Sequence, residues 1–262
     1  MPLSSFLREA RDFAADAPRH LRAFVAFLRS RAGDVPGYLV GALIALVVIG
    51  VALWAFVVIV DDFMDEETLF RLDGAVKDAV ERVATEEVTL QMARVTNFSA
   101  PLLVVAVVLG LAAYFAIRRL WGYLMMLALA LGLGSALLYA LKLIFNRARP
   151  IAGTAYDAHG ASFPSGHSFT ALVLYGLLAY FVWQITTNAW ARTLAVVFAV
   201  ATTLGVGFSR LYLGVHWMTD VLGGYAAGVA WLVFSIAIVR FFEARRRHRA
   251  ETAPPLHPED EV

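Results

Sequence analysis

The sequence predicts an all-α integral membrane protein with six transmembrane helices. Three observations carry this. The 262-residue chain is 60% hydrophobic and 16% charged, too little polar surface for a water-soluble domain of that length. Six stretches are apolar enough, at about 20 residues each, for a helix to cross a bilayer core. The arginines that flank them fall on one side if the helices alternate.

The first stretch, 37–60, carries no charge. It starts too far into the chain, and runs too long, to be the apolar region of a cleaved signal peptide. Between it and the second stretch lies 61–94, where acids outnumber bases and Leu72, Val76, Val80 and Val83 recur at helical spacing. That pattern predicts one amphipathic helix over 67–94, resting on the membrane surface or acting as a lid. Stretches two and three are 95–117 and 120–141. The fourth, 168–191, turns polar around Gln184 and Asn188; the fifth, 193–209, is at the short limit; the sixth, 221–239, begins near His216.

Orientation follows from Arg8, Arg11, Arg19, Arg22, Arg29, Arg31, Arg118, Arg119, Arg192, Arg240, Arg245, Arg246, Arg247 and Arg249. All share one side, which the positive-inside bias makes cytoplasmic, so both termini are expected inside the cell membrane and the acidic 61–94 outside. Phe24, Phe27 and Leu28 among arginines predict an interfacial helix in the leading tail. The proline-rich and acidic end after Ala250 predicts disorder. The chain thus divides into a basic tail (1–36), a first span with its outer segment (37–94), a bundle (95–240) and a cytoplasmic tail (241–262). A net charge of +1 gives no case for nucleic acid, and the absence of cysteine excludes disulfides and thiolate metal sites.

Within the bundle, six charges escape this topology: Lys142, Arg147, Arg149, Asp157, Arg210 and Asp220. All map to the outer helix ends, as do His159, His167 and His216. An isolated acid inside a membrane costs about 2.5–3.5 kcal/mol on insertion scales, so such charges imply function. Cations gathered against the positive-inside trend imply a bound anion. Lys142 and Arg149, two turns apart, are expected on one helix face, with Pro150 ending that helix. The fourth span opens at Phe163-Pro164-Ser165-Gly166-His167. Pro164 suits a first helical turn, Gly166 lets a ligand approach the backbone, and the free N–H groups of a helix start favour phosphate. With the Ser165 hydroxyl and the forks of Arg149 and Arg210, this is a phosphate cradle. Asp220, at i+4 from His216, can accept its imidazole N–H and leave the other nitrogen to attack phosphorus. His167 can then protonate the leaving oxygen.

These residues form three motifs: K-x6-R-P from Lys142 to Pro150, P-S-G-H from Pro164 to His167, and S-R-x5-H-x3-D from Ser209 to Asp220. Together they resemble the three-part signature of the type 2 phosphatidic acid phosphatase superfamily, over roughly 95–239. The resemblance implies a catalytic bundle of spans two to six with an outward-facing site, as in its bacterial membrane members. It implies no cofactor or metal, and a covalent phosphohistidine on His216, oriented by Asp220. His167 would be the general acid and then the base; Lys142, Arg149, Ser165, Gly166 and Arg210 would hold the phosphoryl oxygens. The expected substrate is a lipid phosphate or diphosphate in the bilayer: undecaprenyl diphosphate, phosphatidylglycerophosphate or phosphatidic acid.

Rival readings are a lipid phosphotransferase, which would share every residue, an anion transporter or channel, and an inactive scaffold. The lack of charge in the middle of the spans opposes the transporter, and the intact His167, His216 and Asp220 oppose the scaffold. Arg147, off the Lys142–Arg149 face, is expected to contact lipid headgroups. Tyr156, Asp157 and His159 are expected in a solvated loop, Tyr212 and Trp217 in an interfacial aromatic belt. Glycines 110, 132, 134, 223, 224 and 228 are expected at close helix contacts.

Overall fold

The computed structural model describes residues 37–65, 68–150 and 160–252. The basic leading tail, Tyr156, Asp157, His159 and the last ten residues lie outside the described residues. The chain separates into a leading unit, Met1–Ile44, and a main unit, Ala45–Val262, which holds every site discussed below.

All described elements are helical. They are α1 (Gly37–Met64), α2 (Thr68–Val83), α3 (Glu86–Thr96), a 3-10 turn (Asn97–Ser99), α4 (Pro101–Ile117), α5 (Trp121–Leu127), a π-helical segment (Ala128–Leu133), α6 (Gly134–Phe145), α7 (Gly166–Ile185), α8 (Ala189–Tyr212) and α9 (Met218–Thr252). Six helical stretches are long and apolar enough to cross a membrane: Leu39–Asp62, Glu86–Ile117, Trp121–Phe145, Gly166–Ile185, Ala189–Tyr212 and Met218–His248. Large apolar side chains such as Val47, Trp54, Leu102, Ile144 and Trp190 are exposed on them, as a lipid-facing surface requires.

The core lies around α7, which packs against α8 and α9. Phe169, Val173, Leu174 and Leu177 of α7 meet Met126, Leu127 and Ala130 of the third span and Val206 of α8, all buried. Gly134, Gly223, Gly224 and Gly228 do stand at close contacts, whereas Gly110 and Gly132 face open space.

Several boundaries differ from the sequence reading. The segment 67–94 is not one helix. It breaks after Val83, where Thr85 caps α3 by accepting from Val88 N–H (3.3 Å), and α3 runs on into the second span. The buried face of α2 carries Asp73, while Leu72 and Val83 are exposed; polar bonds of Asp73, described below, override the apolar stripe. The fourth span ends at Ile185 because Asn188 accepts from Trp190 and Ala191 N–H and starts α8. The sixth span, read as 221–239, runs Met218–His248 within α9, and the helix continues into the expected tail as far as Thr252.

The third span is not a uniform α-helix. Its π segment loosens the ladder, and two side chains meet the displaced carbonyls: Trp231 Nε1 donates to Ala130 O (3.0 Å) and Ser135 Oγ to Leu131 O (2.7 Å).

Candidate active site

The site forms at one end of the bundle, from the end of α6, the connection before α7, the first turn of α7, the end of α8 and the start of α9. Contrary to the sequence reading, no helix carries both Lys142 and Arg149. α6 stops at Phe145, where Asn146 takes a left-handed conformation (φ 38°) and returns its N–H to Lys142 O at 3.0 Å. The chain then leaves the helix, so that Arg149 reaches its partners from a loop.

Both side chains nevertheless converge. Lys142 Nζ donates to Ala161 O (2.6 Å), and Arg149 Nη2 donates to the same oxygen (3.3 Å). Arg149 also donates to Gly160 O (3.1 Å) and Val215 O (2.8 Å). It thereby clamps the connection before α7 to the turn before α9.

Pro164 lies before α7 rather than in its first turn; Ser165 is the N-cap and accepts from Ser168 N–H. Ser165 N–H donates to Asp220 O at 2.9 Å, so the starts of α7 and α9 are tied together. Gly224 makes this approach possible: a Cβ there would sit 2.8 Å from Ser165 O.

Asp220, fully buried, is the hub. Its Oδ2 accepts from His216 Nδ1 (3.2 Å), Trp217 N–H (2.8 Å) and the Ser162 hydroxyl. The Ser162 hydroxyl also lies 3.3 Å from His216 Nδ1. Arg149 Nη1 stands 3.2 Å from His216 Nε2. A guanidinium only donates, so Nε2 is the acceptor and Nδ1 carries the proton. Burial pushes the His216 imidazole down to about 4; the hydrogen bond and charge of Asp220 pull it up, and Arg149 and Arg210 add to the lowering. At neutral pH the ring is therefore neutral, with a lone pair on Nε2. Burial also lowers Arg149 from its ordinary range, against the pull of Asp220.

Arg210, with 1% of its surface exposed, donates to Thr96 Oγ1 (2.9 Å), which binds α8 to the end of α3. His167, the second residue of α7, is within electrostatic reach of Arg210, His216, Arg149 and Lys142. The structure thus brings the residues read as cradle and catalytic groups, Lys142, Arg149, Ser165, Gly166, His167, Arg210, His216 and Asp220, to one end of the bundle.

Other residues join them unforeseen. Arg147 is no headgroup contact. Its Nη1 donates to Asp220 Oδ1 (2.8 Å) and Thr219 Oγ1 (2.7 Å), and its Nη2 to Asp73 Oδ2 (2.7 Å). Its fork is taken up by these two buried carboxylates. Ser162, Thr219 and Thr96 were also missed: a small hydroxyl in a loop or span carries no distinctive signal. Asp73 did carry one, as an acid four residues after Leu69 and three before Val76. Nor does Tyr212 belong to a surface belt. Tyr212 is buried and accepts from Thr85 N–H (3.1 Å), and Trp217 donates to Ala148 O (3.0 Å) beneath the Arg147 guanidinium.

Comparison with known proteins agrees with this arrangement. The family model described as PAP2 superfamily matches residues 119–244. A phosphatidylglycerophosphatase B of Bacillus subtilis (strain 168) is 31% identical over 202 residues, 76% of this chain and 97% of that protein. An undecaprenyl-diphosphatase of Sulfolobus acidocaldarius is 36% identical over 73 residues, 28% of this chain and 31% of that one. The crystal structure of a transmembrane PAP2-type phosphatidylglycerolphosphate phosphatase from Bacillus subtilis superposes with a TM-score of 0.65 at 26% identity, covering 80% of this chain and 99% of that one. A hydrogen-bonded histidine–aspartate pair ringed by cations, in a bundle that follows such a protein nearly end to end, makes this chain a member of the PAP2 superfamily.

Proposed function

We propose that this membrane phosphoric ester hydrolase cleaves a lipid phosphate or diphosphate through a phosphohistidine on His216. The observation that carries the reading is the polarity of the His216 ring: its protonated Nδ1 meets Asp220, and its Nε2 points at Arg149. An incoming phosphoryl oxygen would take up that guanidinium and bring phosphorus to Nε2.

In the first half-reaction Nε2 attacks phosphorus and the bond to the leaving oxygen breaks. Positive charge develops on the imidazole, and Asp220 stabilises it. His167 delivers a proton to the leaving oxygen. In the second half-reaction His167 takes a proton from water, the resulting nucleophile attacks phosphorus, and the P–N bond breaks to return His216. Lys142, Arg149 and Arg210, with the Ser165 and Gly166 turn at the start of α7, hold the phosphoryl oxygens as charge builds on them. Three side-chain cations supply the positive charge, so turnover needs no metal.

The names of the relatives support a lipid substrate, a phosphatidylglycerophosphate or an undecaprenyl diphosphate. A site at the end of a bundle whose flanks are lipid-facing suits a substrate arriving sideways from the bilayer. The arginine distribution orients the chain with both termini cytoplasmic and the site on the outer side.

The test is phosphate release by purified protein from undecaprenyl diphosphate, phosphatidylglycerophosphate, phosphatidic acid and a water-soluble ester, with and without EDTA. Release from at least one lipid, unaffected by EDTA and faster than from the soluble ester, is expected. Release that depends on added metal, or none from any lipid, would refute the reading.

A further inference from the structure

We propose that Asp73, acting through Arg147, is a positioning residue for Asp220, which makes α2 a working part of the phosphoryl-transfer site. The inference rests on the phosphatase reading above and extends it to a helix that the sequence motifs do not reach.

The geometry is specific. The Arg147 fork spans two carboxylates, with Nη1 at 2.8 Å from Asp220 Oδ1 and Nη2 at 2.7 Å from Asp73 Oδ2. Both carboxylates are buried, at 0% and 2% exposure. Asp73 is fixed in turn by the residue just before Asp220: Thr219 N–H donates to Oδ1 (2.8 Å) and the Thr219 hydroxyl to Oδ2 (2.6 Å). That hydroxyl also accepts from Arg147 Nη1 (2.7 Å), so its donor and acceptor capacities are both used. Asp73 therefore grips the backbone and, through Arg147, the side chain of one turn of α9.

The arrangement matters for the chemistry in two ways. First, Asp220 Oδ1 is occupied by Arg147, which fixes the carboxylate plane and leaves Oδ2 for His216. A carboxylate free to rotate would spread its lone pairs over other donors. Second, Asp220 must keep negative charge available for an imidazolium on His216. A guanidinium facing Asp220 alone would compete for that charge. Asp73 draws half of the fork away and balances it.

Helix anchoring alone does not account for this. A buried ion pair contributes little net stability compared with apolar packing of the same volume. α2 already has apolar residues on this face in Leu69, Val76 and Val80, each partly buried. An acid placed among them is costly unless its charge is used.

The test compares Asp73→Asn, Arg147→Lys, their double variant, and the pair Thr219→Ser and Thr219→Val in purified, monodisperse protein. Asparagine keeps the acceptor facing Thr219 N–H and loses the charge; lysine reaches one carboxylate and not both. The expected result for Asp73→Asn is a kcat lower by about 10–100-fold, with KM within about three-fold, as for groups that orient rather than bind. The double variant should be no slower than Arg147→Lys, because both lesions break one chain of contacts. Folded Asp73→Asn with kcat within about two-fold of the parent, or losses that multiply in the double variant, would overturn the proposal. If Asp73→Asn fails to fold, the threonine pair decides: Thr219→Ser should retain kcat and Thr219→Val lose it, and equal values overturn the idea. If the parent releases lipid phosphate and every variant matches it, the positioning role falls and the phosphatase reading stands; if the parent releases none, both fall.

Discussion

At one end of the bundle Arg240 is surrounded by local partners: the Tyr180 hydroxyl, Glu243 at 3.0 Å and Tyr123 at 3.4 Å, with the faces of both tyrosine rings within 6 Å of the guanidinium. At the other end, about 30 Å away along α9, Lys142, Arg147, Arg149 and Arg210 stand against two carboxylates, Asp73 and Asp220. Both clusters hold arginine beside aromatic neighbours, but Arg240 keeps a third of its side chain exposed whereas Arg210 is buried. The first matches its cation with an acid three residues away. The second concentrates positive charge and spends much of it on backbone carbonyls and hydroxyls. Those are neutral acceptors that a phosphate oxygen outcompetes, because it adds the attraction of opposite charges and a two-oxygen match to the arginine fork. The contrast separates a cluster that holds helices together from one whose cations mostly meet neutral acceptors, as the proposed phosphate site requires.

That contrast can be broken most directly at the histidines. His216→Ala should lower kcat by about 10⁴-fold or more, and His167→Ala by about 10²–10⁴-fold, with insertion and melting behaviour retained in both. Phosphate-release kinetics on detergent-purified protein measure this, and near-normal turnover in either variant would remove that residue from the mechanism.

The pH dependence sharpens it. Burial lowers His216 to about 4 in the folded protein, against 6.5 when unperturbed. The neutral nucleophile therefore persists in acid, and the limb of kcat/KM due to this group should lie near pH 4 rather than 6.5. For stability the sign is as follows: between those two values the unfolded chain binds the proton and the folded one does not. Folding therefore loses stability as pH falls through that window and regains it above 6.5. A profile measured with a substrate of known ionisation, showing the enzyme's own limb at 6.5, would contradict the neutral ring.

The smallest effect on activity is expected at the opposite end. Arg240→Met should cost about 1–2 kcal/mol of stability through its lost ring and hydroxyl contacts, while kcat of the folded fraction stays within about two-fold. Thermal unfolding and kinetics on the same sample distinguish the two, and a large loss of kcat would tie this end to the chemistry.

The sequence was most informative where physics acts locally. A run of apolar residues must be helical in lipid, so six spans could be read from hydropathy alone. The i, i+4 spacing of His216 and Asp220 was enough to pair the side chains, although His216 stands just before α9 and meets Asp220 from the turn that leads into it. Prediction failed where a residue's fate depends on a distant partner. Arg147 was assigned to headgroups because α6 was expected to continue to Pro150; once the helix stops at Phe145, the loop folds back onto Asp220. Asp73 was overlooked because an acid in an amphipathic helix is ordinarily solvated, and its two partners lie on elements more than seventy residues away. The break between α2 and α3 has no glycine or proline to announce it. There the Thr85 cap and its bond to Tyr212 decide.

The π segment at Ala128–Leu133 has a geometric consequence for Lys142. A π-helix turns less per residue than an α-helix, so that stretch sets everything downstream back by up to about 100° around the helix axis. The segment acts as a phase adjustment, setting the azimuth at which the ammonium of residue 142 leaves the third span.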